Sequence, residues 1–188
     1  MVDVTVDIFI SADGYAGSDG LPPYFGCLGP ELEEWIAVEA AVPQLALMGR
    51  RTYEAFASLP EEYRDESYTA LSELEKIVFS RSLKRVDWPS SRISTDLESE
   101  VRGLKGRDDD ISVRTIGSMS LARQLVDAGL VDRLRLMTFP LLAGPHGREP
   151  FFTGLAAGAL ELVGHRVLDG RVLLVEYRPT GDDIPRVG

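Results

Sequence analysis

Residues that build disulfides and metal sites are scarce in this sequence. It contains one cysteine, Cys27, and two histidines, His146 and His165. A single cysteine excludes an internal disulfide, and these three side chains are too few soft ligands, at unsuitable spacing, for a zinc site. We therefore expect no metal. Because the chain does not depend on disulfides, we expect it in the reducing cytoplasm.

The sequence also lacks long apolar runs and an excess of positive charge. No run is long enough to span a bilayer, and the N-terminal stretch carries acid where a signal peptide carries lysine or arginine. With 20 basic against 30 acidic residues, the formal net charge is -10. Duplex-binding surfaces obtain much of their affinity from lysine and arginine that neutralise phosphates, so we expect neither a membrane nor a nucleic-acid partner.

What the sequence does contain suits one globular domain over residues 1–188. Its 188 residues are 44% hydrophobic and 27% charged. That composition is close to the globular average, and a chain of this length can bury a substantial core. A small anionic ligand held by a few local arginines remains compatible with the overall acidity.

Residues 45–54, LALMGRRTYE, combine a buried strand, a glycine and the start of a helix. Gly49 lets the backbone approach a ligand closely, and the free N–H groups and dipole of the following helix favour a phosphate. Arg50 and Arg51 add positive charge at the same point. The pattern predicts an anion site, although an ordinary strand-to-helix turn with surface arginines has the same pattern.

Two further strands end in groups of the same kind. Residues 76–79 are a short apolar run followed by Ser-Arg-Ser at 80–82. Residues 111–116 are predicted to form another strand, after which Gly117 leads into an amphipathic helix over residues 121–128. A glycine therefore stands at a strand-to-helix junction for the second time.

The remaining segments complete an α/β pattern. Further strands are predicted over residues 2–10 and 131–142, and a C-terminal hairpin joins residues 160–168 and 172–178 through Asp169 and Gly170. Further helices are predicted from Pro30 to just before Pro43, over residues 50–57 and 68–74, and around residues 101–104. Residues 14–29 are predicted as a loop, either an active-site lid or a flexible connection, and acidic residues 108–110 as a solvated turn. Together these segments predict a mixed sheet covered by helices.

Five short motifs occur in the order and spacing of a known superfamily. They are SADG at 11–14, MGRRTYE at 48–54, VFSRSL at 78–83, IGSMSLARQL at 116–125 and GLVDRLRLMTFPLLAGPHG at 129–147. The chain thereby resembles the dihydrofolate reductase-like superfamily, and in particular the reductase domain of bifunctional riboflavin-biosynthesis deaminase-reductases. This resemblance implies a mixed, mostly parallel sheet with helices on both faces and a C-terminal antiparallel hairpin.

The resemblance also implies a nicotinamide cofactor, NADPH, bound across the carboxyl ends of the strands. It assigns Arg50 and Thr52, beside Gly49, to the adenosine side and diphosphate of the cofactor, with Arg51 next to them. Ser80 and Arg81 match the positions that bind the 2'-phosphate. The turn against the diphosphate has its linking peptide typically cis in the family, and it matches Gly117, Ser118, Met119, Ser120 and Leu121.

Catalytic and substrate-binding candidates come from the same resemblance. Dihydrofolate reductases carry a carboxylate on the helix after the lid, which holds the pterin ring and promotes its protonation. Glu33 has the matching position, and Asp13 of the SADG motif is the second candidate. Ser11 and Trp35 stand where the walls of a substrate slot are expected. Glu33 and its acidic neighbours suit simple compensation of the helix dipole equally well.

The chain departs from the riboflavin-pathway pattern at three places. Asp7 stands where those reductases usually have lysine, their usual Asp-Asp-Pro segment after the second helix is missing, and Ser118 replaces a common second glycine. The first hypothesis is an NADPH-dependent reductase resembling 5-amino-6-(5-phosphoribosylamino)uracil reductase, which acts on a small heterocycle. The alternatives are an enzyme of the dihydrofolate reductase type and a nicotinamide-nucleotide-binding protein without efficient reductase activity.

The apolar run over residues 134–142, LRLMTFPLL, exceeds what one strand of a half-exposed sheet needs. Proteins that resemble the riboflavin-pathway reductase domain often form two-fold dimers through this side of the sheet, and an apolar self-complementary patch suits such an interface. We therefore expect a homodimer. The alternative is a central strand buried on both faces within its own chain.

Overall fold

The computed structural model describes residues 2–64, 66–108 and 111–181, with the side chain of residue 67 left out. The solvated turn expected at residues 108–110 therefore lies largely outside the described residues. Among the helices of the described part, none combines the length and apolarity needed to cross a bilayer.

Eight strands form one sheet in the order β5-β4-β3-β6-β1-β7-β10-β9. The pairs from β5 to β7 are parallel, and β10 then runs antiparallel to both β7 and β9. This arrangement confirms the predicted mixed, mostly parallel sheet with a C-terminal hairpin. The strands are β1 (Val4–Ser11), β3 (Gln44–Gly49), β4 (Glu75–Phe79), β5 (Ser91–Ser94), β6 (Ser112–Thr115), β7 (Arg133–Phe139), β9 (Leu160–Leu168) and β10 (Val172–Pro179).

Within the described residues, five α-helices cover the two faces of the sheet, as predicted. They are α1 (Pro30–Ala40), α2 (Arg50–Ala57), α3 (Glu66–Glu73), α4 (Leu97–Lys105) and α5 (Met119–Asp127). Apolar side chains of α4 and α5 pack with Val4, Val6 and Ile8 of β1 on one face. The helices α1, α2 and α3 bury their apolar side chains on the opposite face. Both faces of the central parallel strands are therefore buried, as their apolar sequences require, whereas β9 at one end of the sheet is largely exposed.

The part of the run over residues 134–142 that forms β7 is largely buried within the molecule. Within β7, Leu134 and Leu136 join the core under α4 and α5, while Met137 and Phe139 join the core under α1. The strand ends at Phe139, because the following Pro140 has no N–H to donate. The expectation that this run forms an exposed patch is wrong, and the alternative of a strand buried on both faces is correct.

The segment 14–29 is more regular than the predicted loop. It contains the strand β2 (Tyr15–Ser18), which pairs antiparallel with β8 (Gly147–Pro150) in a separate two-stranded sheet. A 3-10 turn, Pro23–Gly26, follows. A Cβ atom on Gly147 would lie 2.5 Å from the ring of Tyr15. Close packing of that ring on a bare glycine therefore holds the small sheet together.

The C-terminal hairpin has the predicted turn and an additional role. Asp169 and Gly170 have φ angles of 52° and 63°, as a two-residue hairpin turn of type I' requires. The Asp169 carboxylate accepts hydrogen bonds from the N–H groups of Glu31 (2.9 Å) and Leu32 (3.2 Å) at the start of α1. Its own N–H donates to the Glu31 carboxylate. The hairpin thus caps a helix that is distant in sequence.

Candidate functional site

A cleft of about 1650 Å³ opens beside the ends of β3, β4 and β6. All the residues that the resemblance assigned to the cofactor line it, except Gly117. Gly117 lies just behind the wall, where an added Cβ atom would stand 3.1 Å from the Thr52 side chain. Three stretches that are far apart in the sequence therefore meet at one cavity.

Hydrogen bonds through Ser118 join two sides of this cleft. The Ser118 hydroxyl accepts from the Gly49 N–H (2.7 Å) and lies 2.7 Å from the Thr52 hydroxyl. A Cβ atom on Gly49 would stand only 2.9 Å from the Ser118 oxygen, so a side chain there would push the two turns apart. This contact explains why a glycine stands between β3 and α2.

The N-termini of α2 and α5 reach the cleft without side-chain caps. Neither helix has a capping side-chain hydrogen bond or an acidic residue in its first turn. By contrast, Asp96 caps α4 and Asp169 caps α1. Because first-turn N–H groups need acceptors and the helix dipole favours negative charge, the two uncapped helices together suit an anion.

Arginine side chains surround these helix ends. Arg50 pairs with Glu54 at 3.1 Å, and Arg51, whose side chain is 86% exposed, lies 3.9 Å from Glu149. Arg81 is exposed and has no ion pair with any residue that the structure describes. These arginines place positive charge beside the two helix ends, although four carboxylates also line the cleft.

The Ser80 hydroxyl shapes the turn that carries Arg81. It accepts hydrogen bonds from the N–H groups of Ser82 (3.2 Å) and Leu83 (3.0 Å). Ser80 itself is buried. The two residues predicted to bind the 2'-phosphate therefore have different roles. Ser80 orders the turn, whereas the guanidinium of Arg81 is available in the cleft.

The turn between β6 and α5 has left-handed backbone conformation at two successive residues. The φ angles are 59° at Gly117 and 56° at Ser118. The described residues include no cis peptide bond, so the cis linkage expected at this turn is wrong. The serine nevertheless adopts a conformation that favours glycine, where its hydroxyl reaches Gly49 and Thr52.

Asp13 ties the SADG turn to the segment after β7. Its carboxylate accepts hydrogen bonds from the Ser11 hydroxyl (2.6 Å) and from the N–H groups of Ala143 (2.9 Å) and Gly144 (2.8 Å). The Ser11 hydroxyl, followed by the two N–H groups, lowers the pKa of Asp13 to about 2. Such a carboxylate is ionised at neutral pH, so the proton-donor role predicted for Asp13 finds no support in its surroundings.

The other catalytic and substrate candidates lie outside the cleft lining. Glu33 is exposed on α1, and Ser11 is completely buried with its hydroxyl engaged by Asp13 and by the N–H of Tyr15 at 3.0 Å. The Trp35 ring is buried beneath guanidinium groups from β6 and β7, the two strands that flank β1. The structure therefore does not bring Glu33, Ser11 and Trp35 together with the cofactor set.

The unexpected Asp7 belongs to a buried cluster of four charges. Arg135 on β7 donates to Asp7 at 2.6 Å and pairs with Glu39 of α1 at 2.8 Å. Arg114 on β6 contacts the same two carboxylates. Burial opposes the charge on Arg135, but Asp7 and Glu39 raise its pKa overall. Asp7 is thus the counter-ion of two arginines on the strands that flank β1.

Several residues that line the cleft were not predicted from the sequence. Residues 95–98, which connect β5 to α4 and begin that helix, line it, as do Arg123 and Glu149. The strands β5 and β8 are only four residues long, too short for a clear periodic pattern. One signal was available, because Asp96 followed by Glu98 and Glu100 is typical of a helix start.

The fold is an α/β fold, and two uncapped helix N-termini and several arginines border one cleft at an edge of its sheet. A model of the RibD C-terminal domain family matches residues 2–174, and the chain therefore belongs to this family. The predicted resemblance to riboflavin-pathway reductase domains is confirmed. Membership of this family of reductase domains indicates an oxidoreductase that uses a nicotinamide cofactor.

Individual relatives agree with this assignment. The chain is 26% identical over 143 residues to the uncharacterized protein YyaP of Bacillus subtilis (strain 168), covering 72% of this chain and 73% of YyaP. A putative riboflavin biosynthesis protein from Shewanella sp. PV-4 has a TM-score of 0.68 at 16% identity, covering 95% of this chain and 99% of that one. A pyrimidine reductase-like protein from Corynebacterium diphtheriae has a TM-score of 0.65 at 16% identity, covering 96% and 93%. These structural likenesses establish the fold.

Proposed function

We propose that the protein is an NADPH-dependent reductase of a small heterocycle, resembling 5-amino-6-(5-phosphoribosylamino)uracil reductase. The observation that carries the proposal is the meeting of two uncapped, acid-free helix N-termini at one arginine-bordered cleft. A dinucleotide diphosphate supplies the negative charge and the hydrogen-bond acceptors that these helix ends need.

In this proposal, the cofactor's diphosphate and 2'-phosphate bind at two different places in the cleft. The N–H groups that begin α2 and α5 would hold the diphosphate, with Arg50 and Arg51 adding charge. Arg81 would hold the 2'-phosphate, because a guanidinium forms paired, charge-assisted hydrogen bonds with phosphate oxygens. When bound, the cofactor supplies the hydride, and the protein supplies its position and an enclosed environment.

A protein that binds the cofactor without efficient reduction is the second candidate. It is favoured by the surroundings of the predicted proton donors, since Asp13 is ionised and fully engaged and Glu33 lies outside the cleft lining. The dihydrofolate reductase type receives less support. Of the α1 carboxylates, Glu31 bonds Asp169 and Glu39 belongs to the buried charge cluster, so neither is placed to hold a pterin ring.

Turnover decides between these candidates. NADPH consumption should be followed with phosphoribosylaminouracil-type pyrimidines and with dihydrofolate, alongside direct titration of NADPH and NADH. Turnover of the pyrimidine supports the first proposal. NADPH binding without turnover of either substrate supports the second, and failure to bind either nucleotide would overturn both.

A further inference from the structure

We propose that Glu149 competes with the cofactor's phosphates for Arg51 and thereby limits the affinity of the cleft for diphosphate ligands. This inference rests on the proposed function of the cleft. It assigns to β8, which no sequence pattern indicated, a part in cofactor selection.

The first observation is the backbone of Glu149. This residue has a φ angle of 53° inside a strand, a conformation that residues with side chains adopt at a free-energy cost. Contacts on both sides hold it there. Arg123 of α5 donates to the Pro150 carbonyl at 3.0 Å, and β8 pairs with β2. Residues held in such conformations cluster at active sites and ligand-binding regions.

The second observation is the pairing of the acidic groups that line the cleft. Asp96 caps α4, Asp127 accepts from the Ala156 N–H at 3.1 Å, and Glu98 pairs with Arg102 at 2.8 Å. Each of these carboxylates has a partner that was not assigned to the cofactor. Glu149 differs, because its ion-pair partner, Arg51 at 3.9 Å, belongs to the predicted cofactor set.

A diphosphate that enters the cleft therefore meets Arg51 when this arginine is already paired with the Glu149 carboxylate. The ligand must take Arg51 from Glu149 and also tolerate the repulsion of that negative charge. The cost falls on charged ligands only. Glu149 thus weakens binding of diphosphate-containing nucleotides, while an uncharged nucleoside such as adenosine is unaffected.

Glu149→Gln tests this competition, because it removes the charge and keeps the size of the side chain. Glu98→Gln is the matched control, since it removes one negative charge from the same cleft at a residue paired elsewhere. Dissociation constants for NADPH, inorganic pyrophosphate and adenosine should be measured by calorimetry at low and high salt. Thermal unfolding of each variant checks that the fold is retained.

We expect Glu149→Gln to bind NADPH and pyrophosphate roughly two- to fivefold more tightly at low salt, as suits an exposed ion pair, with the gain shrinking as salt screens the charges. Adenosine binding should not change, and Glu98→Gln should change little. In an Arg51→Gln background the gain should shrink, because the two partners are coupled.

The possible failures are distinct. If the wild type binds NADPH but Glu149→Gln binds NADPH and pyrophosphate no more tightly, the role of Glu149 is overturned while the proposed function stands. Equal gains from Glu98→Gln would also overturn it, because general charge would then explain the effect. If no NADPH binds but pyrophosphate binding tightens as expected, Glu149 keeps its role and the proposed function falls.

Discussion

Lys76 is a completely buried cation on β4. Its ammonium group donates to the carbonyls of Leu71 (3.0 Å), Ser72 (2.9 Å) and Leu74 near the end of α3, and it lies 4.8 Å from the centre of the Trp88 ring. Carbonyls at a helix C-terminus and an aromatic face both attract a cation. Lys76 therefore serves as a buried cap for α3, which its place in an apolar run did not indicate.

Burial lowers the pKa of Lys76 from 10.5 to about 8. Between these two values the unfolded chain binds a proton that the folded chain has lost, so the free energy of unfolding rises with pH across this window. Urea denaturation at pH 7.5 and pH 10 should show this rise in the wild type relative to Lys76→Met. Identical pH dependence in the two proteins would contradict the prediction.

Asp13 also makes the free energy of unfolding rise with pH, but in an acidic window. Its folded pKa of about 2 lies below its usual value of 3.8, so its stabilising contribution is present above pH 3.8 and is lost as the pH falls towards 2. Asp13→Asn should therefore reduce stability at pH 7 and match the wild type much more closely near pH 2. Acid titration of unfolding measures the difference, and a constant gap between the two proteins at all pH values would argue against it.

Arg81 should decide the preference between NADPH and NADH. Loss of a charged hydrogen-bond partner costs about 1.5 to 3 kcal/mol, or roughly tenfold to hundredfold in affinity. Arg81→Ala should weaken NADPH by this factor and change NADH little. Arg85→Ala is the control, because Arg85 lies on the same loop but pairs with Asp87 at 3.3 Å. Equal weakening of both nucleotides by Arg81→Ala would remove Arg81 from the 2'-phosphate site.

At the scale of elements, the four-charge cluster binds β1, β6 and β7 to α1. Removing the Asp7 carboxylate leaves Arg114 and Arg135 buried with too little compensating charge. Breaking a buried pair in this way costs about 3 to 5 kcal/mol, so Asp7→Ala should lower the free energy of unfolding by that amount. Urea denaturation measures it.

Asp3→Ala is the comparison for that experiment. Asp3 is exposed and lies 3.8 Å from Arg133, whose guanidinium has a second partner in Glu176. An exposed pair contributes only about 0 to 1 kcal/mol. If Asp7→Ala destabilises no more than Asp3→Ala, the cluster does not hold the elements together.

At the scale of the whole molecule, the single domain over residues 1–188 remains a prediction. One sheet runs from β5 to β9, and helices from both halves of the sequence cover it. We therefore expect one cooperative transition in thermal unfolding, followed in parallel by far-ultraviolet circular dichroism and tryptophan fluorescence. Two transitions that differ between the probes would contradict it. Location in the cytoplasm and the absence of nucleic-acid partners also remain predictions from composition.

The homodimer remains a proposal, but the surface expected to form the dimer interface changes. Leu134, Leu136, Met137 and Phe139 are buried within the chain, and the exposed residues of the original run are Pro140 and Leu142, the latter at 75%. Exposed apolar residues occur instead on the hairpin, where Val167 is 57% exposed and pairs with Leu173, which is 40% exposed. Such a surface suits a two-fold contact better than the original run does.

Sedimentation at rising micromolar concentration tests the dimer. We expect a species of twice 20.7 kDa that Val167→Lys dissociates, because a charged side chain on an apolar interface must be desolvated. Leu142→Lys should leave it intact. A wild type that stays monomeric at all concentrations would end the proposal, whereas dissociation by Leu142→Lys alone would return the contact to the end of β7.

Local sequence determined much of this protein. The strand-to-helix junctions at Gly49 and Gly117 and the hairpin turn at Asp169 and Gly170 follow from a few neighbouring residues, and their places in the chain were predicted. The tertiary structure decided the contacts between distant segments. Asp169 caps α1 across 138 positions, and Asp7 meets Arg135 across 128. Periodicity and turn chemistry act over a few residues, whereas the partner of a buried charge or an open helix end depends on which strands become neighbours.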